Sequence, residues 1–350
     1  MTAAGEGANA KMQTMQPMTA PSEPQFPYVA LSAQAAGIHP STGRLLTLDA
    51  VTFDDAGRAG ETFYQVFNPG RDPGPRHTHG LEVGDFAQAP RFSRSLRSLD
   101  KLIDGRVLVL HNSPLDWGYM VSESRRAMNA AARANRSRRG RGNRRRQRAG
   151  HVPRPTEIVD LLATVRLQGH IPVDTRLPAL AALAGVEVPA PAAEEEQRSR
   201  QRTLTLVGMF LALRSAGELA SFDPADLDAD RFGLQRSSLR VDAEKAAAAA
   251  NNPGVYSPAT GLIKGMEMVV TDDVPLNPDE LIDAGVRAGL TYSEKLSRQS
   301  SVVVSDAPEQ GAELVGKAMH AHRKDIPILS AAQFQRAVEE MDSQGSGAAE

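Results

Sequence analysis

The stretch that decides the fold of this chain is Val107-Leu108-Val109-Leu110-His111-Asn112-Ser113-Pro114-Leu115-Asp116. Its apolar beginning predicts a short buried strand, and the polar residues that follow predict a turn into a helix. This order places the carboxylate of Asp116 at a strand-to-helix junction, where a metal ion or a phosphate group can bind. The alternative is a structural role for Asp116 as a helix-capping residue.

The segments around this junction predict an α/β fold with a mixed sheet. Strand-like runs at short spacing, which favour an antiparallel meander, occupy residues 28–31, 44–53 and 62–67. Helical spacing is found over residues 92–103, 158–167, 177–183 and 204–213. The expected architecture is a mixed sheet with flanking helices.

A second pattern begins near residue 262, where strands and helices alternate. Strands are predicted at 267–271, 301–304 and 326–329, and helices at 278–288, 311–322 and 331–341. Such alternation predicts a small parallel α/β domain. The whole chain is thus divided into a disordered start (1–26), a first domain (27–217) with an arginine-rich loop (133–155), a partly helical linker (218–260), a small domain (261–341) and a disordered tail (342–350).

Composition excludes several classes of protein. The chain has 350 residues, a formal net charge of −2 and no cysteine, so disulfides and thiolate zinc sites are excluded. Its longest apolar run, residues 204–213, is too short to cross a bilayer, and its beginning lacks the apolar core of a secretory signal. We therefore expect a cytoplasmic protein with no membrane partner.

The small net charge hides a strongly basic segment. No acidic residue occurs between Glu123 and Glu157, whereas eight arginines lie within residues 136–148. They are Arg136, Arg138, Arg139, Arg141, Arg144, Arg145, Arg146 and Arg148, called here the arginine tract. Arginine donates paired hydrogen bonds to phosphate, so the tract predicts nonspecific binding of single-stranded or duplex nucleic acid. A solvated loop, or one folded onto the acidic residues of the linker, is the alternative.

Residues 28–214 resemble the DEDDh 3′–5′ exonucleases, the family of the epsilon subunit of DNA polymerase III. The resemblance depends on the strand 28–31 with its continuation to Ile38, on Asn68-Pro69-Gly70, on His79-Gly80-Leu81, on Ala89-Pro90-Arg91-Phe92, and on the junction from His111 to Asp116. It implies an RNase H-like fold and a site in which four carboxylates hold two divalent ions. By this resemblance Asp116 is one of the four metal-binding carboxylates.

The other positions of that site depart from the family pattern. Ser32 and Gln34 stand where the family has Asp-x-Glu, and Arg198 and Thr203 stand where it has the general-base histidine and the last aspartate. One aspartate and neutral groups carry too little negative charge to hold two divalent ions. Arginine cannot accept a proton at neutral pH. We therefore predict a degenerate nuclease without a cofactor. The alternative is an active exonuclease that uses Mg²⁺ or Mn²⁺ and substituted ligands, with residues 194–196 as substitutes.

Residues 261–341 resemble a BRCT domain, on the segments Leu262–Thr271, Ser301–Val304, Gly316–Ala318 and Ile326–Phe334. Thr271 and Lys317 are the nearest matches to the phosphate-binding residues of that family. Asp272 stands where the family has glycine, and its charge opposes phosphate binding. We expect Thr271 to be an ordinary strand end, Lys317 a solvated residue, and the domain to dock onto DNA ends or onto a DNA polymerase or repair proteins.

Overall fold

A six-stranded sheet forms the centre of the N-terminal half of the protein. The computed structural model describes residues 25–137, 150–274, 277–311 and 313–346. The strands of this sheet are β1 (Tyr28–Ala36), β2 (Arg44–Phe53), β3 (Ala59–Val66), β4 (Val107–Leu110), β5 (Glu157–Asp160) and β6 (Ser221–Phe222). They lie in the order β3-β2-β1-β4-β5-β6. β1, β2 and β3 form the predicted antiparallel meander, whereas β1, β4 and β5 are parallel. This mixed sheet of RNase H-like type confirms the predicted fold class.

Helices cover both faces of the sheet. They are α1 (Arg76–His79), α2 (Val83–Gln88), α3 (Leu96–Ile103), α4 (Ser113–Ser137), α5 (Leu161–Leu167), α6 (Leu177–Leu183) and α7 (Glu195–Ala216). Because side chains alternate along a strand, Leu31 packs with α3 and α4 on one face. Its neighbour Ala30 packs with Phe210 of α7 on the other face.

Two helix predictions in this half need correction. Residues 158–167 were expected to be one helix, but 157–160 form β5 and the helix begins only at Leu161. A short continuous apolar run fits a buried strand as well as a helix, and pairing with β4 decides for the strand. α7 begins at Glu195, well before the predicted start at residue 204. Its first turns are polar, so the apolar periodicity used for the prediction did not reveal them.

The segment predicted as a linker, residues 218–260, contains regular structure. β6 pairs with β5 of the large sheet, β7 (Leu227–Ala229) and β8 (Gln235–Ser237) form a hairpin, and α8 (Ser238–Lys245) follows. Ala243 of α8 belongs to the apolar core of the C-terminal half. The residues up to α8 therefore connect the two halves through packed structure.

A second sheet organises the C-terminal half. Its strands β9 (Glu267–Val270), β10 (Thr291–Tyr292), β11 (Ser300–Val304) and β12 (Ile328–Leu329) are parallel in the order β10-β9-β11-β12. The helices are α9 (Pro278–Arg287), α10 (Gly316–His322) and α11 (Ala331–Ser346). A small parallel α/β unit was predicted, although without β10, and α10 begins five residues later than expected.

The ends of the chain are described only in part. α11 continues to Ser346, past the predicted boundary at residue 341, while residues 1–24 and 347–350 lie outside the described range. The predicted disorder of residues 1–26 and 342–350 stays a prediction. None of the helices within the described ranges is both long and apolar enough to cross a membrane.

Candidate functional site

The carboxyl ends of β1, β4 and β5 meet at one edge of the six-stranded sheet. Ligands of parallel strands bind beyond this edge, so it is the candidate site. Ser32 and Gln34 lie on β1, Asp160 ends β5, and Asp116 lies in the first turn of α4, directly after β4. The topology thus brings the strand positions of the predicted site to one place.

Ser32 and Thr203 are brought together by the packing of α7 on β1. Their hydroxyl oxygens share a hydrogen bond of 2.8 Å, and the carbonyl oxygen of Ser199 lies within 3.3 Å of both. Thr203 is fully buried. Two positions that the resemblance assigned to metal-binding aspartates therefore form a neutral hydroxyl pair that joins strand to helix.

Glu195, at the start of α7, accepts four hydrogen bonds. Its Oε1 receives the amide of Gln34 at 3.0 Å, the hydroxyl of Ser199 at 2.6 Å and a guanidinium N–H of Arg202 at 2.7 Å. Its Oε2 receives Arg198 at 3.2 Å. Because the Glu195 side chain is only 4% exposed, these donors replace the water that a charged carboxylate requires. Glu195 is thus committed to internal partners.

Arg198 holds the entry to α7 rather than standing free. It donates to the carbonyl oxygens of Ala192 at 3.2 Å and Ala193 at 2.5 Å besides Glu195. Its guanidinium lies against Gly80, where a Cβ atom would stand 2.2 Å from Nη2, and Gly80 has φ +75°. A guanidinium with these partners stays charged and cannot act as a general base. The positive φ of Gly80 and its contact with Arg198 therefore both disfavour a side chain at this position.

Asp49 on β2 is a buried charge that the sequence analysis missed. Register places it opposite Ser32, and both carboxylate oxygens accept from Arg200 of α7 at 2.8–3.0 Å. The Asp49 side chain has no exposed surface. Its signal in the sequence was a single aspartate within an otherwise apolar strand, since a buried carboxylate there needs a cationic partner.

Asp116 shares the junction with a second carboxylate, Asp160. Burial raises the pKa of Asp116 to about 6, because it outweighs the opposing effects of His111 and of the backbone N–H of Asn112, which donates to Oδ2 at 3.1 Å; nearby Asp160 raises it further. Burial also raises the pKa of Asp160, although Asp160 accepts from the backbone N–H groups of Ser113 at 2.7 Å and Ala163 at 2.8 Å. Asp160 is therefore the N-cap of α5, and Asp116, in the first turn of α4, accepts from the residue that precedes its helix.

The side chains at this edge do not fit a pair of divalent ions. The structure contains no group of three or more His, Asp or Glu residues that could hold a metal ion, within the part of the chain that it describes. Glu195 and Asp49, two further carboxylates that contact β1 or pair with it in register, are each paired with arginine. Guanidinium groups already supply the positive charge that Mg²⁺ would bring, so a dication would meet repulsion there.

An open groove of about 550 Å³ adjoins Glu195. Its lining residues come from β3, α2, α7 and the loop before α2: Tyr64, Val66, Leu81, Gly84, Asp85, Gln88, Glu195 and Glu196. Burial, together with the charges of Glu195 and Glu196, raises the pKa of Tyr64 to about 12. This side of the site is acidic, which disfavours phosphate.

The arginine tract begins far from this edge. Arg136 is exposed near the end of α4, and the arginines from 138 to 148 lie outside the described residues. Twenty helical residues separate Arg136 from Asp116, about 30 Å at 1.5 Å per residue. The chain is described again where His151 bonds Asp104 at 2.7 Å, before β5 starts at the amino edge of the sheet. Binding of nucleic acid by the tract stays a prediction.

Thr271 and Lys317, the candidate phosphate pair, already have partners. The hydroxyl of Thr271 donates to the carbonyl oxygen of Val304 at 2.9 Å and also contacts Asp273. Lys317 forms an ion pair with Glu294 at 2.8 Å. Both side chains are thus engaged within the unit, which agrees with the expectation of an ordinary strand end for Thr271 but not with a solvated Lys317.

Sheet order and the packing of α7 on β1 define this half of the protein as an α/β domain with a mixed sheet between helices. No family model matches the chain. Over 97 residues it is 32% identical to the DNA polymerase III subunit epsilon-like protein of Rhodobacter capsulatus, a segment that covers 27% of this chain and 14% of that protein. The chain is thus similar to the epsilon-like proteins, which confirms the resemblance predicted from the motifs.

Solved structures of exonucleases are also similar in part. A 3′-exonuclease that recognises the 3′ end of a histone mRNA stem-loop has 10% identity and a TM-score of 0.43, covering 60% of this chain and 89% of that chain. E. coli exonuclease I, in a zinc-bound complex with single-stranded DNA, has 14% identity and a TM-score of 0.39, covering 54% and 40%. Exonuclease X, with 5′-overhanging duplex DNA, has 13% identity and a TM-score of 0.37, covering 54% and 92%.

Replacing Glu195 with glutamine tests its role as the acceptor that joins β1 to α7. We expect the free energy of unfolding to fall by about 1–3 kcal/mol, because Arg198 and Arg202 lose their counter-ion while remaining partly buried. Urea titration measures the change. Its exposed neighbour Glu196→Gln is the matched control, expected within about 0.5 kcal/mol of the original. Equal losses in the two variants would contradict the role.

Replacing Asp116 with asparagine tests the buried carboxyl group. In the folded protein its pKa is about 6, above the value near 3.8 of an unperturbed aspartate, so its contribution to stability is present at low pH and is lost as pH rises through 6. Asparagine removes that loss. We expect it to stabilise the protein by on the order of 1–2 kcal/mol at pH 8, with little effect at pH 4, in urea titrations. A pH-independent difference would show that burial does not raise this pKa.

Proposed function

We propose that this protein is an exonuclease-like protein of the polymerase III epsilon type that has lost hydrolysis and acts by binding nucleic acid in DNA replication or repair. The contacts between β1 and α7 are the main support for the proposed loss of hydrolysis. Ser32 pairs with Thr203, and Gln34 pairs with Glu195, which is itself held by Arg198 and Arg202. Hydroxyl, amide and guanidinium groups stand where hydrolysis by metal ions needs free carboxylates.

Electrostatics support this proposal independently of the alignment. Phosphodiester hydrolysis in this family uses divalent metal ions, which bind a water molecule and polarise it. Guanidinium groups are fixed by their own ion pairs and do not lower the pKa of a water molecule in that way. The first-strand and last-helix residues thus stabilise the fold without supplying a nucleophile or a base.

Nucleic-acid binding is supported by the arginine tract and its position. The tract carries eight arginines without an acidic or aromatic residue, so it suits phosphates of any sequence and not base stacking. Arg125, Arg133 and Arg136 extend the basic surface along the exposed side of α4. Because α4 leads away from the candidate site, binding through this surface does not depend on an intact catalytic edge.

The C-terminal unit supports a docking role through its resemblance to BRCT domains. Its four parallel strands agree with that resemblance, and the partners proposed for it are DNA ends, a DNA polymerase or repair proteins. The pairing of Lys317 with Glu294 argues against a phosphate ligand at Thr271. A cytoplasmic location stays a prediction from the sequence.

One observation favours the alternative, an active exonuclease dependent on Mg²⁺ or Mn²⁺. Asp160 lies close enough to Asp116 to raise the pKa of that carboxyl group, and two such carboxylates are a partial metal site. The test is release of nucleotides from a 3′-labelled single strand with either metal. We expect no release above the level of an Asp116→Ala variant; metal-dependent release that the variant lacks would establish the alternative.

Neutralising the arginine tract tests the binding proposal. With all eight arginines of the tract changed to glutamine, we expect affinity for a single-stranded oligonucleotide to fall more than tenfold. The slope of log affinity against log salt should become shallower by about 0.7 for each phosphate that the variant no longer neutralises. Filter binding over a salt series measures both quantities. In the control, Arg287, Arg323 and Arg336 of the C-terminal unit, all exposed, are neutralised instead. Equal affinity and slope in the tract variant and the original would refute the proposal.

A further inference from the structure

Three arginines face three acidic residues between the two halves of the chain. Arg166 on α5, Arg236 on β8 and Arg240 on α8 are called here the arginine clasp. Their partners, called the acidic edge, are Asp272, Asp279 and Glu294 of the C-terminal unit. Three guanidinium groups thus face three carboxylate groups.

Arg240 is the centre of the clasp. Its guanidinium lies 3.3 Å from Asp272, 3.1 Å from Asp279 and 3.8 Å from Glu294. The side chain is only 11% exposed. A buried guanidinium needs anionic partners to replace water, and all three of these come from the C-terminal unit. Helix α8, predicted as part of a linker, is thereby fastened to that unit.

The other two arginines connect the clasp to the N-terminal half. Arg166, which belongs to a helix packed on the six-stranded sheet, reaches Asp272 at 3.4 Å. Arg236 reaches Glu294 at 3.4 Å and its own hairpin residue Asp230 at 3.6 Å. Asp272, at the rim and 41% exposed, is therefore shared between α5 and α8. The acidic edge contacts three separate elements outside its own unit.

A stack of side chains around Phe232 provides a second, independent connection. The ring of Phe232, in the β7–β8 turn, stacks on His39 with centroids 4.5 Å apart, and His39 lies in the turn between β1 and β2. The ammonium of Lys295, from the C-terminal unit, lies 4.1 Å from the centroid of the same ring. The backbone N–H of Ser41 also donates to the carbonyl oxygen of Phe232 at 2.9 Å. The hairpin thus touches both halves at once.

Ionisation agrees with this pairing. Burial alone would raise the pKa of Asp272 and of Glu294, but the surrounding cations hold both well below their ordinary values. Arg240 and Arg166 act on Asp272, whereas Lys317, Arg236 and Arg240 act on Glu294. Both carboxylates stay charged and paired at neutral pH.

We propose that the arginine clasp locks the C-terminal unit onto the exonuclease-like half, so that the two halves move as one body. The acidic edge lies beside Thr271 and Lys317, the place where the resemblance implied a phosphate ligand. Asp272, which departs from the family pattern there, receives two of the three arginines. The edge is therefore engaged within the chain, and partners must dock on other faces of the unit.

The test measures the distance between the halves in the full chain. Because the protein has no native cysteine, Ser98→Cys on α3 and Gln335→Cys on α11, both exposed, provide two spin-label positions. Pulsed electron resonance then gives a distance distribution. We expect a single narrow distribution for the original, and a distribution at least about twice as broad for an Arg240→Gln, Arg166→Gln variant in which most of the clasp is neutral.

Two further samples provide a control and a substitute in case the double variant fails to fold. Arg287→Gln, which removes the exposed ion pair of Arg287 with Asp283, is the matched control and should leave the distribution narrow. If the double variant fails to fold, Arg166→Gln alone, which removes only the ion pair at the rim, is compared with the original over increasing salt and should broaden at lower salt. A broad distribution in the original, or a narrow one in every folded clasp variant at all salt concentrations, would overturn the proposal. Neither outcome depends on nuclease activity or nucleic-acid binding.

Discussion

The carboxylate of Glu195 holds the first strand of the exonuclease-like half to its last helix. Gln34 reaches it from β1, whereas Ser199, Arg202 and Arg198 reach it from α7. Buried polar groups at this edge of the sheet need hydrogen-bond partners within the protein, because bulk water does not reach them. The carboxylate of Glu195 provides such a partner for guanidinium, amide and hydroxyl groups.

Arginines of α7 form ion pairs with two carboxylates at this edge. Arg198 and Arg202 pair with Glu195, and Arg200 pairs with Asp49. Ser32 of β1 and Thr203 of α7 are joined by a neutral hydroxyl pair. Asp116 accepts from the backbone N–H of Asn112, just before α4 begins.

Charge also determines how the rest of the chain is arranged. Helix α4 leads from Asp116 at the candidate site to Arg136, the first arginine of the tract, about 30 Å away along the helix. The clasp of Arg166, Arg236 and Arg240 engages the acidic edge of the C-terminal unit, and the hairpin with Phe232 braces the same junction. A segment that looks like a linker is therefore a structural connector.

The sequence by itself determined the mixed sheet, the small parallel unit and the strand-to-helix junction at Asp116, because apolar periodicity and ordered motifs are local properties. Strand β5 could not be recognised, since its short apolar run becomes a strand only through pairing with β4. Tertiary structure alone decided which charges meet. Glu195, Asp49 and Arg240 are far in sequence from several of their partners, so spacing could not reveal the ion pairs, and burial is what makes those pairs obligatory.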